Sequence, residues 1–144
     1  MEEPKAILQR ARTAQERIDR RRAELRRLRE METYISATDY SVARVRASSG
    51  RGSVERIATS GKLEKVERKI REDISELEEA KLEAIALISL LEDPRDTEIL
   101  WEYYIHAAKN WKEAASAVGY SKEYAIRRHG WALQKLQAIL KSGH

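Results

Sequence analysis

Cysteine is absent from this chain, which excludes a disulfide scaffold, a thiolate metal site and a cysteine nucleophile and fits a reducing compartment. Phenylalanine is absent as well, and aromatics make up only 6% of the residues. Six glycines and two prolines are too few breakers for an all-β protein. No apolar run approaches the roughly 20 residues of a membrane span; the longest, Ala84 to Leu91, is interrupted by Ser89. The opening Met-Glu-Glu-Pro places acid where a signal peptide carries base, and no apolar segment follows. These absences predict a cytoplasmic protein without a membrane partner.

What the chain has in excess is charge. Asp, Glu, Lys and Arg form 36% of its 144 residues, against about 25% in an average globular protein, and the formal net charge is +4. Residues 1–32 carry ten basic and seven acidic side chains, residues 62–93 six and ten, and residues 94–144 eight and five. The first and third segments are therefore of opposite sign, which suits pairing, and the basic tail suits nucleic acid.

From Ile7 the apolar positions run Ile7, Ala11, Ala14, Ile18, Leu25, Leu28 and Ile35, with Arg21 and Glu32 in the interrupted places. Leu63, Val66, Ile70, Leu77, Ala80, Ala84, Leu87 and Leu91 repeat the pattern, with Asp73 as the polar member. Alternating steps of three and four keep one stripe toward a partner helix. Two such helices of opposite flank charge predict an antiparallel coiled coil, with Arg21 and Asp73 meeting near its middle. Between them, residues 36–61 are rich in Ser, Gly and Arg and lack periodicity, which predicts a flexible loop with at most a short turn near Val54–Ile57 capped by Ser53. The arginines at 10, 12, 17, 20, 22, 26, 27 and 29 read as a solvated, salt-bridged flank neutralised by the acids of the third segment. The competing reading is a surface for nucleic acid or an acidic partner.

Asp93-Pro94 ends the second long helix, and Ile99, Leu100, Tyr103 and Tyr104 predict another from about Pro94 to Ala108. Asn110 is a strong N-cap for a short helix that starts Trp111-Lys112-Glu113 and shows Ala114, Ala115 and Val118 on one face. Gly119-Tyr120 predicts a turn with positive φ. Ser121 then caps a last helix with Ala125, Ala132, Leu133, Leu136 and Leu140 inward. A short helix, a Gly turn and a longer capped helix form a helix-turn-helix pattern. The expected fold is thus all-α, with a helical hairpin over 1–92 and a three-helix helix-turn-helix domain over 93–144.

The stretch Trp111–Leu136 resembles region 4 of sigma-70-type factors, through its capped short helix, its Gly-x-Ser turn and its Ala132-Leu133…Leu136 ending. With the charged hairpin, the Gly/Ser segment and Glu92-Asp93-Pro94 ahead of it, the chain resembles the small phage and prophage late-gene activators of the ArpU type found in Gram-positive bacteria. Ala125 departs from the pattern, which has a larger aliphatic there; the expectation is either looser packing or space filled by Trp131. The resemblance implies sequence-specific double-stranded DNA binding, with host RNA polymerase as a further partner of the hairpin. It places Lys122, Glu123, Ile126 and Arg127 where base edges are read. Their chemistry suits guanine, cytosine and thymine-methyl contacts. Asn110, Trp111 and Lys112 begin the preceding helix, where phosphate is held, and Lys109 and Arg128 join them as phosphate contacts by charge.

Trp111 and Trp131 read first as packing groups, Glu123 also suits the helix dipole, and His129 reads as a packed histidine. His106, His129 and His144 lack metal-ligand spacing, so neither metal nor cofactor is assigned. No phosphate loop or activated nucleophile is present, and an enzyme is not expected. A homodimer is expected, because Ile74, Ile85 and Ile88 lie off the seam unless they pack on the C-terminal domain. Two other classes share these features: a small-terminase-like DNA-packaging component and a coiled-coil interaction adaptor.

Overall fold

The computed structural model describes residues 2–43 and 51–143, with side chains described at 2–34, 58 and 60–143. The fold is all-α: α1 (Pro4–Ala43), α2 (Arg51–Ile88), α3 (Pro94–Leu100), a π turn (Trp101–Ile105), α4 (Trp111–Ala117) and α5 (Lys122–Ser142). The chain divides into two compact units, one of residues 1–16 with 75–144, the other of residues 17–74.

In the 17–74 unit the seam is buried where the spacing predicts, at Ile18, Leu63, Val66 and Ile70. Arg21 donates from Nε to the buried Asp73, the predicted mid-helix pair. Arg29 reaches Glu67 at 3.5 Å. Partner numbers on α2 fall as those on α1 rise, so the two helices run antiparallel. The loop expected over 36–61 is helical at 36–43 and at 51–61, and residues 44–50 lie outside the described residues. Ser53 is accordingly inside α2 rather than a cap. Starting a helix costs more than lengthening one, so segments continuous with paired helices extend them despite glycines that cost about 1 kcal/mol each.

The other unit does not respect the expected boundary at 92/93. Leu8 and Ala11 of α1 and Ala84, Leu87, Ile88 and Leu91 of α2 and its end share one core with Leu100, Tyr104, Ile105, Ala132 and Leu136. Some fifty residues of helix-turn-helix bury little surface alone, and the helix ends supply the missing apolar area. Ile85 and Ile88, off the seam in sequence, are used here. Asp93 caps α3 by accepting from the Arg95 N–H at 3.0 Å, with Pro94 at the first helical position. The helix expected to reach Ala108 instead widens into the π turn and ends where Ala107 takes φ 52°, closed by the Ala108 N–H on the Glu102 carbonyl at 3.1 Å.

Candidate nucleic-acid interface

α4 and α5 are set by local chemistry. The Asn110 side-chain oxygen accepts from the Glu113 N–H at 2.9 Å, and Ser121 Oγ accepts from the Tyr124 N–H at 3.1 Å, so both predicted caps are in place. Gly119 has φ 80°. Its N–H bonds the Ser116 carbonyl at 3.2 Å and the Tyr120 N–H the Ala115 carbonyl at 2.9 Å, a Schellman ending that requires the left-handed residue. Ala115 and Ala125 meet on Ile99 in a second small core, flanked by Trp111, Val118 and Tyr120. Two alanines at the crossing let α4 and α5 approach closely. Ile99 supplies the bulk that Trp131 was expected to give; Trp131 is six residues past Ala125, about 240° round the helix, and is 45% exposed.

Lys122, Glu123, Ile126 and Arg127 are all exposed, Ile126 by 42%. Within α5, Ile126, Glu123 and Arg127 lie about 100–200° from Ala125, away from Arg128, Ala132 and Leu136, and Lys122 sits at the edge of that face about 60° from Ala125, so the four expected base-reading residues are exposed on adjoining parts of the helix surface. Lys109 and Lys112 are exposed as well, although the Lys109 carbonyl accepts from Arg12 at 3.4 Å. Asn110 has its carboxamide oxygen engaged in the cap. Trp111 is half-buried and stacked on Tyr103, with ring centres 3.8 Å apart and planes within 3°, as the packing reading of this residue anticipates.

Arg128 does not join this face. It is 8% exposed and donates from Nε to Asp96 at 2.7 Å and from a terminal nitrogen to Asp93 at 2.8 Å. The hydrogen bond to Asp96 leads in holding its pKa above the ordinary value, against desolvation. Asp96 is 1% exposed and also accepts from Lys135 Nζ at 3.1 Å. Arg128 therefore clamps α5 to α3, and its assignment as a phosphate contact is corrected. The reason is angular: Arg128 is three residues past the buried Ala125, on the packed side. Asp93 is held well below the usual carboxylate range, chiefly by hydrogen bonds from Arg95.

Sequence reasoning missed Asp96 and Arg12. Arg12 was read as flank, yet it is buried, lies 4.1 Å over the Tyr103 ring, and donates to the carbonyls of Tyr103 at 2.8 Å and Ala108 at 2.6 Å. The Tyr103 carbonyl belongs to the π turn and the Ala108 carbonyl lies just beyond its end, and the guanidinium caps both. The stack Arg12–Tyr103–Trp111 thereby ties the start of α1 to the start of α4. His129 is a packed histidine: the Tyr104 hydroxyl lies 2.6 Å from Nε2. Burial, and then the charge of Lys5, lowers its pKa to about 4. The imidazole is therefore neutral at pH 7 and shares a hydrogen bond with the Tyr104 hydroxyl; burial in turn raises the tyrosine pKa. Trp101 Nε1 donates to His106 Nε2 at 3.1 Å, leaving His106 Nδ1 to donate to Glu102 at 2.9 Å.

Among the described residues no group of three His, Asp or Glu is placed to hold a metal ion, and no described helix is long and apolar enough to cross a membrane. Comparison of the chain with family models, curated proteins and solved structures finds no match.

Proposed function

We propose that this protein is a sequence-specific double-stranded DNA-binding regulator of transcription, of phage or prophage type and cytoplasmic, with α5 as its reading helix. One observation carries the reading. Lys122, Glu123, Ile126 and Arg127 present donors, an acceptor and an apolar contact on the free face of a helix whose other face is fixed by Ile99, Ala115 and the Arg128–Asp96 clamp. Rigid presentation of a mixed donor and acceptor set is what major-groove reading needs. Host RNA polymerase as a second partner, and the absence of catalysis, belong to the same proposal.

The test is selection of duplexes from a random pool by the full chain, followed by titration of single variants. Arg127→Ala is expected to cost about 1–3 kcal/mol on the selected duplex and to relax preference at one base pair. A pool that is not enriched, or an Arg127→Ala variant that weakens selected and scrambled duplexes equally, overturns base reading by this face.

A homodimer remains part of the proposal on a changed basis. Ile85 and Ile88 are taken into the core, whereas Leu82 on α2 and Leu90 in the turn just after it are 69% and 42% exposed. Sedimentation as a monomer at tens of micromolar would exclude it.

A further inference from the structure

The division into units redistributes the charge. Residues 17–74 contain 16 Lys and Arg against 10 Asp and Glu, net +6, whereas the unit that contains α4 and α5 holds 12 against 14, net −2. Of the acids expected to neutralise the arginine run, Glu76, Glu78, Glu79 and Glu83 belong to the other unit, while Glu64, Glu67 and Glu72 stay with it. The run from Arg17 to Arg29 shares its unit with an α2 segment, residues 62–74, of five basic and four acidic side chains.

Within the 17–74 unit the excess is also sided. The pair Arg29–Glu67 marks one flank of the antiparallel helices. Lys65 and Lys69 are each two positions from Glu67, about 200° round α2, and Lys62 is about 140° away. On α1, Arg27 and Arg20 lie about 200° and 180° from Arg29. Because the helices are antiparallel and face each other, these five side chains come to the same opposite flank. Lys69 is half-exposed and the other four are exposed. The acids on that flank are Glu24 and Glu72.

We propose that this flank, Arg20, Arg27, Lys62, Lys65 and Lys69, is a sequence-independent binding surface for the phosphate backbone of duplex DNA, separate from the reading face of α5. Charge complementarity selects the occupant. A row of cations projected from two antiparallel helices matches a row of phosphates, and the exposed apolar groups on the same flank of α1, Met31 and Tyr34, lie at one end of it beyond Arg27. The proposal does not require base reading by α5. It adds a binding term that acts on every sequence and holds the chain on DNA.

The experiment measures binding of the full chain to a random-sequence 30-base-pair duplex between 50 and 200 mM salt. Each phosphate contact contributes about −0.9 to the slope of log affinity on log salt. Replacing all five side chains by Gln, a good helix former, is expected to make the slope shallower by about 3 to 4.5 units, so that wild-type affinity falls at least about 60-fold more than the variant's over that range. A milder variant, Lys62→Gln/Lys65→Gln/Lys69→Gln, is expected to lose about two to three units; equal far-UV circular dichroism shows that it folds. A slope within one unit of wild type for both variants overturns the proposal. Tighter binding to phosphatidylcholine/phosphatidylserine (4:1) vesicles than to the duplex at equal salt overturns it in favour of a membrane. A Lys122→Ala/Arg127→Ala variant that keeps sequence preference, while the two Gln variants of the basic flank still lose slope, refutes the reading helix and supports the flank.

Discussion

Removing the Asp96 carboxylate is the sharpest probe of how the reading helix is held. Asp96 is 1% exposed and accepts from Arg128 at 2.7 Å and Lys135 at 3.1 Å. Asp96→Asn keeps the shape and deletes the charge, leaving Arg128, itself 8% exposed, with Asp93 as its remaining carboxylate. Breaking a buried ion pair from one side costs about 3–5 kcal/mol because the other charge is stranded. The surviving Asp93 contact, a charge-assisted bond of about 1.5–3 kcal/mol, offsets part of that. A net loss of about 2 kcal/mol follows. In a chain of this size roughly 3 °C of melting temperature accompany each kcal/mol, so the midpoint of thermal unfolding followed by circular dichroism at pH 7 is expected to drop by about 6 °C. Replacing both partners, as Asp96→Leu with Arg128→Met, strands no charge and is expected to recover at least about 2 kcal/mol relative to the sum of the single changes. The same double variant is expected to keep the wild-type salt slope for duplex DNA, since Arg128 clamps helices and holds no phosphate. An Asp96→Asn protein within 1 kcal/mol of wild type, or a double variant as unstable as the two singles added together, refutes the clamp.

Acid is expected to destabilise the fold through His129. Its pKa falls from 6.5 to about 4 in the native state, so the unfolded chain binds the proton more readily. The stability is complete above pH 6.5 and declines as pH falls toward 4, by about 3 kcal/mol in total; urea titrations at stepped pH measure it, and His129→Phe flattens this part of the profile. Gly119→Ala is expected to cost about 1 kcal/mol, because φ is 80° although the added Cβ would meet nothing within 4 Å. Gly130→Ala, in the interior of α5 with equally open space, is expected to stabilise by about 0.5–1 kcal/mol; opposite signs in one denaturation series test both. Arg12→Leu removes two well-placed bonds to the carbonyls of Tyr103 and Ala108 and is expected to cost about 2–4 kcal/mol, with changed Trp111 fluorescence; an unchanged unfolding midpoint contradicts its capping role.

Much of this fold is legible along the chain because the forces concerned are local. Three- and four-residue steps place Ile18, Leu63, Val66 and Ile70 on one stripe, and two of its polar members, Arg21 and Asp73, meet as a pair inside it. Asn110, Ser121 and Gly119 announce the ends of α4 and α5, since a cap or a left-handed turn is satisfied within a few residues. The free face of α5 follows from Arg127 lying about 200° round the helix from Ala125.

Tertiary structure decided the rest. Arg128 and Arg12 look like surface cations in sequence, and only folding shows the carboxylates and carbonyls, 32 to 96 residues distant, that make their burial tolerable. The extent of α1 and α2 through Ser- and Gly-bearing segments reflects helix continuity, a property of the whole element rather than of residues 36–61. Where one unit ends and the other begins depended on which apolar faces lacked cover. A three-helix domain too small to bury itself recruited Leu8, Leu87 and Ile88, and the basic excess was thereby left on the remainder of the two long helices, because charge follows the chain while compactness follows the core.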